Sequence, residues 1–149
     1  MALVMLVDEP LDVAGLTRAA ESDAYGAVVT FAGNVRDNAR GKRVVAIEYT
    51  SYRVLADSEL KRIACEAETR WNGTAAVGHR LGPIAIGEAT VFIAYGSAHR
   101  AEAFEACRWI IDTLKESVPI WKRETYEDGE VWIEGDQAIA VEKIASAGS

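Results

Sequence analysis

The chain has 149 residues, of which 50% are hydrophobic and 26% are charged, and this composition is typical of a globular domain. Its formal net charge of −7 disfavours general binding to nucleic acid or to an anionic membrane. No apolar run approaches the roughly 20 residues of a membrane-spanning helix, and the first residues lack the basic region of a signal peptide. We therefore expect a single cytoplasmic domain over residues 1–149 that binds neither nucleic acid nor membrane.

Strand and helix patterns alternate through the first half of the chain. Residues 26–35 are rich in β-branched side chains, which favours a strand. Apolar residues then recur at helical spacing from Leu60 to Trp71, and Asn72-Gly73 is predicted to end that helix because both residues suit the left-handed conformation. The predicted elements are a strand at about 3–8, a short helix near 11–21, a strand at 26–35, a loop at 36–43, a strand at 44–52 and a helix at 56–71.

A second long helix is predicted over residues 97–117, with Ser97 as its N-cap and Pro119 just past its end. Strand patterns precede it, and a β-hairpin with its turn at Asp128-Gly129 follows it. Because strands adjoin strands as well as helices, the order of elements predicts an α+β fold with a largely antiparallel sheet. The two preceding strands are predicted at 75–86 and 88–97, and residues 136–149 are predicted to fray. The predicted apolar face of the helix consists of Phe104, Cys107, Ile111 and Leu114.

The chain has only two cysteines and two histidines that could hold a metal ion. Cys65 and Cys107 do not form a Cys-x-x-Cys motif, and both fit helical core positions, so we predict that they are reduced, buried thiols. His79 and His99 are the only histidines, too few for a histidine-based metal site. Phosphate-binding loops and dinucleotide fingerprints are missing. We therefore predict neither a metal nor a cofactor.

Cations gather at three places in this acidic chain. The segment RDNARGKR at 36–43 contains four basic residues and one acid. His99 and Arg100 begin the second long helix, where free N–H groups and the helix dipole favour an anion. Lys115 in its last turn and Lys122 after it lie on both sides of Pro119. Together these positions predict a site for an anion.

The cations at and beyond the two ends of this helix also have purely structural explanations. Arg100 could pair with a surface acid such as Glu102, and His99 could merely pack. Lys115 suits the negative end of the helix dipole, and Lys122 could be a solvated strand lysine. Taken one at a time, these positions do not decide between function and structure.

Three separated motifs distinguish the sequence as a whole. They are GAVVTFAGNVR at 26–36, SAHR at 97–100 and DTLKESVPIWKRE at 112–124. In this order and spacing they closely resemble the catalytic (large) subunit family of molybdopterin synthase, over roughly residues 20–135. The resemblance implies an α/β-hammerhead fold with an additional antiparallel β subdomain.

The resemblance also implies an activity. The family transfers sulfur from the C-terminal thiocarboxylate of a small ubiquitin-like subunit, which ends in Gly-Gly, to cyclic pyranopterin monophosphate. Two transfers create the dithiolene of molybdopterin. Neither a metal nor a cysteine of the large subunit takes part.

The family motifs assign roles to particular residues of this chain. Lys115 and Lys122 are expected at the reacting centre, where their ammonium groups would face the carboxylate of the tail. The residues expected to bind substrate are Phe31, Asn34, Val35 and Arg36 in the pocket wall, His99 and Arg100 at the phosphate and pterin, and Arg123 and Glu124 beside the lysines.

One helix cannot place all these groups around one substrate. His99 and Lys115 are sixteen residues apart, which is about 24 Å along a continuous helix at ~1.5 Å per residue. We therefore expect a homodimer, and with the small subunit a heterotetramer, in which each pocket combines residues of both chains. Lys115, Lys122 and Arg36 would come from one chain, and His99 and Arg100 from the other.

Two other functions fit parts of the pattern. A non-enzymatic module that recognises an acidic peptide tail would use Arg36 and Arg100. It would not require both Lys115 and Lys122. A nucleotide-dependent transferase is disfavoured because the chain lacks a phosphate-binding loop.

Overall fold

The computed structural model describes residues 2–134, which form three helices and nine strands. The predicted fraying at 136–149 lies outside the described residues. In chain order the elements are β1 (Leu3–Val7), α1 (Val13–Ala19), β2 (Ala27–Asn34), β3 (Asn38–Ala39), β4 (Lys42–Ser51), α2 (Arg53–Trp71), β5 (Gly73–Arg80), β6 (Gly82–Ile84), β7 (Ala89–Ser97), α3 (Arg100–Ser117), β8 (Ile120–Tyr126) and β9 (Val131–Glu134).

A four-stranded sheet in the order β1-β5-β7-β2 forms the centre of the fold. β1 and β5 are parallel, and the other two pairings are antiparallel. Helices α2 and α3 pack on one face of the sheet, where Ile93 and Ile110 are fully buried. α1 covers the other face, where Leu16 packs against Phe92. Because both faces of β7 are covered, its sequence is mostly apolar instead of alternating.

A second sheet lies beside the first, with the strand order β3-β4-β8-β9 and β6 also paired to β4. All its pairings are antiparallel. The predicted hairpin turn at Asp128-Gly129 is confirmed between β8 and β9, with Gly129 in the left-handed region at φ 89°. The α+β class and the largely antiparallel sheets are therefore confirmed.

The predicted loop at 36–43 is wrong in part, because its residues form a second hairpin. β3 and the start of β4 pair there, and Arg40 and Gly41 form the two-residue connection. Both have positive φ, 54° and 73°. Two left-handed residues in a two-residue connection match the twist of the flanking strands. Similarly, the predicted strand at 75–86 is divided into β5 and β6.

All three helices differ from the predicted boundaries. α1 is shorter than expected, with Asp12 as its N-cap, and α2 begins at Arg53. The prediction that Ser97 caps α3 is wrong, since Ser97 ends β7 and its hydroxyl donates to backbone carbonyls at the end of α2. His99 is the N-cap residue instead. Asn72, at φ 44°, ends α2 as predicted.

Two residues on the predicted apolar faces are exposed. Phe104 is 61% exposed, because the buried face of α3 runs through Ala103, Cys107 and Ile110. Cys65 is also exposed, next to the buried Ala64, so its predicted core position is wrong. Cys107 is buried as predicted, and both cysteines are free.

Candidate active site

A pocket of about 170 Å³ lies where the C-terminal end of α3 meets both sheets. Its volume is several times the ~30 Å³ that a water molecule occupies in the liquid. The lining residues are Tyr49, His79, Leu114, Lys115, Val118, Ile120, Lys122 and Glu134.

A row of three side chains crosses the second sheet at this pocket. Lys122 on β8 is the cross-strand partner of Tyr49 on β4 and of Glu134 on β9. Cross-strand partners project from the same face of a sheet, so the three polar groups meet. The Lys122 Nζ lies 3.4 Å from a Glu134 carboxylate oxygen.

Glu124 is the second carboxylate near Lys122. It lies two residues further along β8, on the same face, and its carboxylate is 3.6 Å from the Lys122 Nζ. The Glu124 side chain is buried and accepts hydrogen bonds from Arg40 at 2.8 Å and from the Tyr126 hydroxyl at 3.2 Å. The partial burial of Lys122 is thus matched by two carboxylates.

The two pocket lysines differ in how their surroundings affect the charge. Burial alone would lower the pKa of Lys122, but Tyr49, Glu124 and Glu134 outweigh burial, and the pKa of Lys122 is raised. Desolvation lowers the pKa of Lys115, and the positive charge of Lys122 lowers it further, against a smaller opposing effect of Glu134. Lys122 is therefore held as an ammonium, whereas Lys115 gives up its proton more readily than an ordinary lysine.

His79 contributes a neutral ring to the same pocket. Its Nδ1 lies 2.9 Å from the Arg80 carbonyl, which can only accept, so Nδ1 carries the hydrogen and Nε2 has the free lone pair. Burial lowers the pKa of His79 to about 4, although the bond to Arg80 opposes this effect, and Lys115 lowers it further. The ring also contacts Tyr49 edge-on at 5.3 Å between centroids, which links the two sheets at the pocket.

Comparison with known proteins decides the family. The sequence model described as MoaE protein matches residues 6–117. The chain belongs to the MoaE family. A molybdopterin synthase catalytic subunit from Oryza sativa subsp. indica is 46% identical over 141 residues, which cover 92% of this chain and 73% of that protein.

Solved structures agree with this membership of the MoaE family. Molybdopterin synthase from Staphylococcus aureus matches with a TM-score of 0.83 and 35% identity, over 89% of this chain and 96% of that chain. This likeness confirms the predicted family fold, an α/β-hammerhead with an additional antiparallel β subdomain. A complex of subunits 1 and 2 of molybdopterin-converting factor from Helicobacter pylori 26695 has the same fold, with a TM-score of 0.67 and 21% identity over 84% of this chain and 86% of that chain.

His99 and Arg100 of this MoaE family chain lie far from the pocket lysines. Both are exposed at the N-terminal end of α3, whereas Lys115 is in its last turn. α3 is continuous over its 18 residues, so the sixteen-residue separation again amounts to about 24 Å at ~1.5 Å per residue. The structure does not bring these two predicted groups together within one chain.

The other predicted binding residues divide between core and surface. Val35 is buried against Ile47 and Ile84, and its backbone bonds to the Gly87–Glu88 turn. Phe31 and Asn34 are exposed along β2, an edge strand of the four-stranded sheet, and the exposed Arg36 follows them. Their roles stay predictions.

Arg123 and Glu124 lie on opposite faces of β8. Glu124 faces the same side as Lys122, whereas Arg123 is exposed on the other side. The two residues, adjacent in the sequence, therefore have different surroundings, and only Glu124 is in contact with a pocket lysine.

The basic segment at 36–43 is mostly paired with acids. Arg40 pairs with Glu124 and Glu134, Lys42 pairs with Asp128 and Glu130, and Arg43 lies 3.6 Å from Glu127. Among residues 2–134, Arg36 has no ion-pair partner. Of the four cations that suggested an anion site here, Arg36 is thus the one that this part of the chain leaves unpaired.

Sequence reasoning missed Tyr49 and His79 as pocket residues. His79 lies in a mainly apolar strand and belongs to none of the three family motifs quoted above, and Tyr49 precedes α2 in an alternating strand. A histidine within such an apolar strand was the signal available for His79 in the sequence. No comparable signal marks Tyr49, because its place depends on the pairing of β4 with β8.

Neither a metal site nor a membrane span is found in the described range. Residues 2–134 contain no group of three or more His, Cys, Asp or Glu side chains arranged to hold a metal ion. In the same range no helix has the length and apolar character needed to cross a membrane.

Proposed function

We propose that this MoaE family member transfers sulfur as the catalytic subunit of a molybdopterin synthase. The sulfur donor is the C-terminal thiocarboxylate of a small ubiquitin-like subunit, and the acceptor is cyclic pyranopterin monophosphate. The observation that carries the proposal is the pair Lys115 and Lys122 on one pocket, with the pKa of one lowered and that of the other raised.

Lys122 is suited to stabilise negative charge in this reaction. Release of sulfur from the acyl carbon passes through a tetrahedral species with an oxyanion, and a fixed ammonium stabilises such a charge strongly in a partly desolvated site. The Lys122 Nζ lies 3.6 Å from a Glu124 oxygen and 3.4 Å from a Glu134 oxygen, so neither contact is a short hydrogen bond. This looseness leaves the ammonium able to donate to an incoming carboxylate oxygen.

Lys115 is suited to a different task. An amine with a lowered pKa can accept a proton at neutral pH, or act as a transient acyl acceptor for the tail. The lone pair of His79 Nε2 adds a neutral acceptor to the pocket without adding a third positive charge. We therefore assign proton transfer or acyl transfer to Lys115 and charge stabilisation to Lys122.

The proposed partners follow from the same site. The pocket volume suits the terminal glycine residues of a tail, which have no side chains and can enter a narrow space in extended form. The Helicobacter pylori relative of this fold was solved as a complex of two different subunits, which supports such a partnership. The cyclic phosphate would then bind beside the pocket, at exposed groups that include Arg36 and the His99 and Arg100 of a second copy of the chain.

A homodimer completes the proposed site. The continuity of α3 leaves His99 and Arg100 far from Lys115 in one chain, and a two-fold axis can bring the N-terminal end of one α3 beside the C-terminal end of its mate. With two small subunits the assembly is a heterotetramer. Phe31, Asn34, Val35, Arg123 and Glu124 would form or support the walls of the binding site.

Reconstitution tests the proposal directly. The purified chain is incubated with a thiocarboxylated small subunit and cyclic pyranopterin monophosphate, and dithiolene product is measured. Product that depends on both components is the expected result. Tight binding of the small subunit without any product would contradict the proposal and support a non-enzymatic tail-binding module.

A further inference from the structure

Arg40 closes a ring of four alternating charges beside the pocket. Its guanidinium donates to Glu124 at 2.8 Å and to Glu134 at 3.2 Å. The same two carboxylates lie 3.6 Å and 3.4 Å from the Lys122 Nζ. Each carboxylate is thus shared between Lys122, which lines the pocket, and Arg40, which is not among its lining residues.

Two further contacts fix the guanidinium in this position. One nitrogen also donates to the Tyr126 hydroxyl at 2.8 Å, and the plane lies over the Trp132 ring at 3.9 Å. A planar fork that bonds two carboxylates and stacks on an aromatic ring is a task for arginine that lysine cannot perform. The side chain of Arg40 is therefore held on several sides.

The backbone at Arg40 indicates that this side chain has a purpose beyond the turn. Arg40 is in the left-handed region at φ 54°, which is unfavourable for most non-glycine residues and where Asn or Gly is the usual choice. Gly41 already supplies the second left-handed position. An arginine is a poor choice for the turn alone, but it suits a position from which the side chain reaches Glu124 and Glu134.

The ring explains why Lys122 is not drawn into a tight ion pair. Without Arg40, both carboxylates would have Lys122 as the remaining cation of the ring, and the ammonium would move toward them. The arginine thus leaves the Lys122 ammonium 3.4 Å or more from either carboxylate, facing the pocket. Such precision affects rate, since a misplacement of about 1 Å can cost up to roughly 10²-fold.

We propose that Arg40 is a positioning residue, which acts through Glu124 and Glu134 to hold the Lys122 ammonium ready for the anionic tail. This inference rests on the proposed sulfur transfer and deepens it. The charged or titratable groups that face Lys122 are Tyr49 from β4, His79 from β5, Lys115 from α3, Glu124 from β8 itself, Glu134 from β9 and Arg40 from the β3–β4 turn.

The decisive variant is Arg40→Asn. Asparagine followed by Gly41 is a preferred pair for a two-residue hairpin turn, so the turn persists while the guanidinium is lost. Arg43→Gln is the matched control, because Arg43 lies on the same hairpin but is exposed and paired with Glu127. Arg40→Lys keeps the charge without the fork.

Two measurements are made on each variant. Competitive acetylation at a series of pH values, read by peptide mass spectrometry, gives the pKa of Lys122 without any substrate. Arg40→Asn is expected to raise that pKa, because a neighbouring cation is lost and two carboxylates turn to Lys122. Arg40→Asn is also expected to lower kcat for dithiolene formation roughly tenfold or more. Arg40→Lys should give intermediate values of the pKa of Lys122 and of kcat. Arg43→Gln should match the wild type in both measurements.

The outcomes separate this inference from the proposed function. If Arg40→Asn leaves either the pKa of Lys122 or kcat unchanged, the positioning role is wrong, while an active wild type leaves the proposed function intact. If the wild type forms no dithiolene, the proposed function fails, and the positioning role in that reaction fails with it. A raised pKa of Lys122 in Arg40→Asn would then show only that Arg40 acts on the charge of Lys122.

Discussion

Lys122 and Glu134 stand directly opposite each other in the pairing of β8 with β9, with 3.4 Å between the ammonium and a carboxylate oxygen. Across the pocket, Lys115 has no such close partner among residues 2–134, and burial together with Lys122 lowers its pKa. Two lysines that look equivalent in the sequence are thus in opposite electrostatic situations. This difference leads to separate expectations for each of them.

Replacing either lysine by alanine should reduce dithiolene formation by about 10²–10³-fold, because Lys122→Ala removes charge stabilisation and Lys115→Ala removes the group that transfers the proton or accepts the acyl group. The free energy of unfolding should change by about 1 kcal/mol or less, because partly exposed lysines contribute little. Reconstituted turnover and urea unfolding measure the two effects. Near-normal turnover in both single variants would contradict the assignment.

Arginine substitutions should distinguish the two roles. Lys122→Arg keeps a positive charge and should retain part of the activity, whereas Lys115→Arg cannot lose its proton and should be inactive. Turnover of the wild type should rise with pH as Lys115 deprotonates, in a range below that of an ordinary lysine. In Lys122→Ala, the pKa of Lys115 should increase because the cation that lowers it is gone. The pH profile of the residual activity should therefore shift to higher pH than that of the wild type. An unchanged profile in Lys122→Ala would count against coupling between the lysines.

His79 should make the stability of the protein depend on pH. Its pKa is about 4 in the folded chain against about 6.5 when unfolded, so the unfolded chain binds more protons between these values. Stability should therefore fall as the pH falls from about 6.5 to 4, and this one residue should account for about 3 kcal/mol.

A matched pair of variants isolates this effect. The side chain of His79→Asn can still donate to the Arg80 carbonyl but does not titrate. The free energy of unfolding of this variant should therefore decrease less between pH 7 and pH 4 than that of the wild type. His99→Asn, at an exposed position, should behave like the wild type. Urea unfolding at several pH values measures the difference. Equal losses in wild type and His79→Asn would show that His79 is not kept neutral by the fold.

Local patterns in the sequence predicted most elements of the fold because they depend on neighbouring residues. The left-handed cap at Asn72 and the Asp128-Gly129 turn are local in this sense, and both were predicted correctly. The hairpin at Arg40-Gly41 was missed because Arg is a rare choice at its first position. The side chain of Arg40 pairs with Glu124, more than 80 residues away, and such a long-range pair is not visible in local sequence patterns.

The face of α3 was misjudged for a similar reason. Phe104 is the largest apolar residue of its turn, but the small Ala103 lies against the sheet, where α3 packs closely. The pocket was predictable only where a motif marks it, as with Lys115 and Lys122. Tyr49 and His79 join it through strand register and the junction of two sheets, which one sequence does not reveal.

The tail of the small subunit should enter the pocket in extended form. A bulky side chain added at the end of the tail would have to fit among the residues that line this pocket, which include Lys115 and Lys122. Adding a tryptophan after the terminal glycine should therefore abolish sulfur transfer, while binding of the globular part of the small subunit persists. Binding is measured by calorimetry and transfer by product formation. Equal transfer by the extended tail would show that the tail does not thread into this pocket.

The distance along α3 makes the dimer testable. Since His99 and Lys115 are about 24 Å apart at ~1.5 Å per residue of helix, the proposed site, which includes both residues, would need two chains. Lys115→Ala and His99→Ala chains should each be inactive as homodimers. In a mixed dimer, one of the two pockets combines an intact Lys115 with an intact His99, so about half of the wild-type activity per dimer should return.

Differently tagged chains allow the mixed dimer to be isolated before the assay. The control is a mixture of Lys115→Ala with Lys122→Ala, two residues that belong to the same pocket of one chain. In that mixed dimer, each pocket lacks one lysine and no activity should return. Recovery in the first mixture but not in the second is the pattern that a shared site requires, because only residues from different chains can complement each other. An inactive His99–Lys115 mixed dimer, once isolated, would mean that each chain works alone or that His99 lies outside the site.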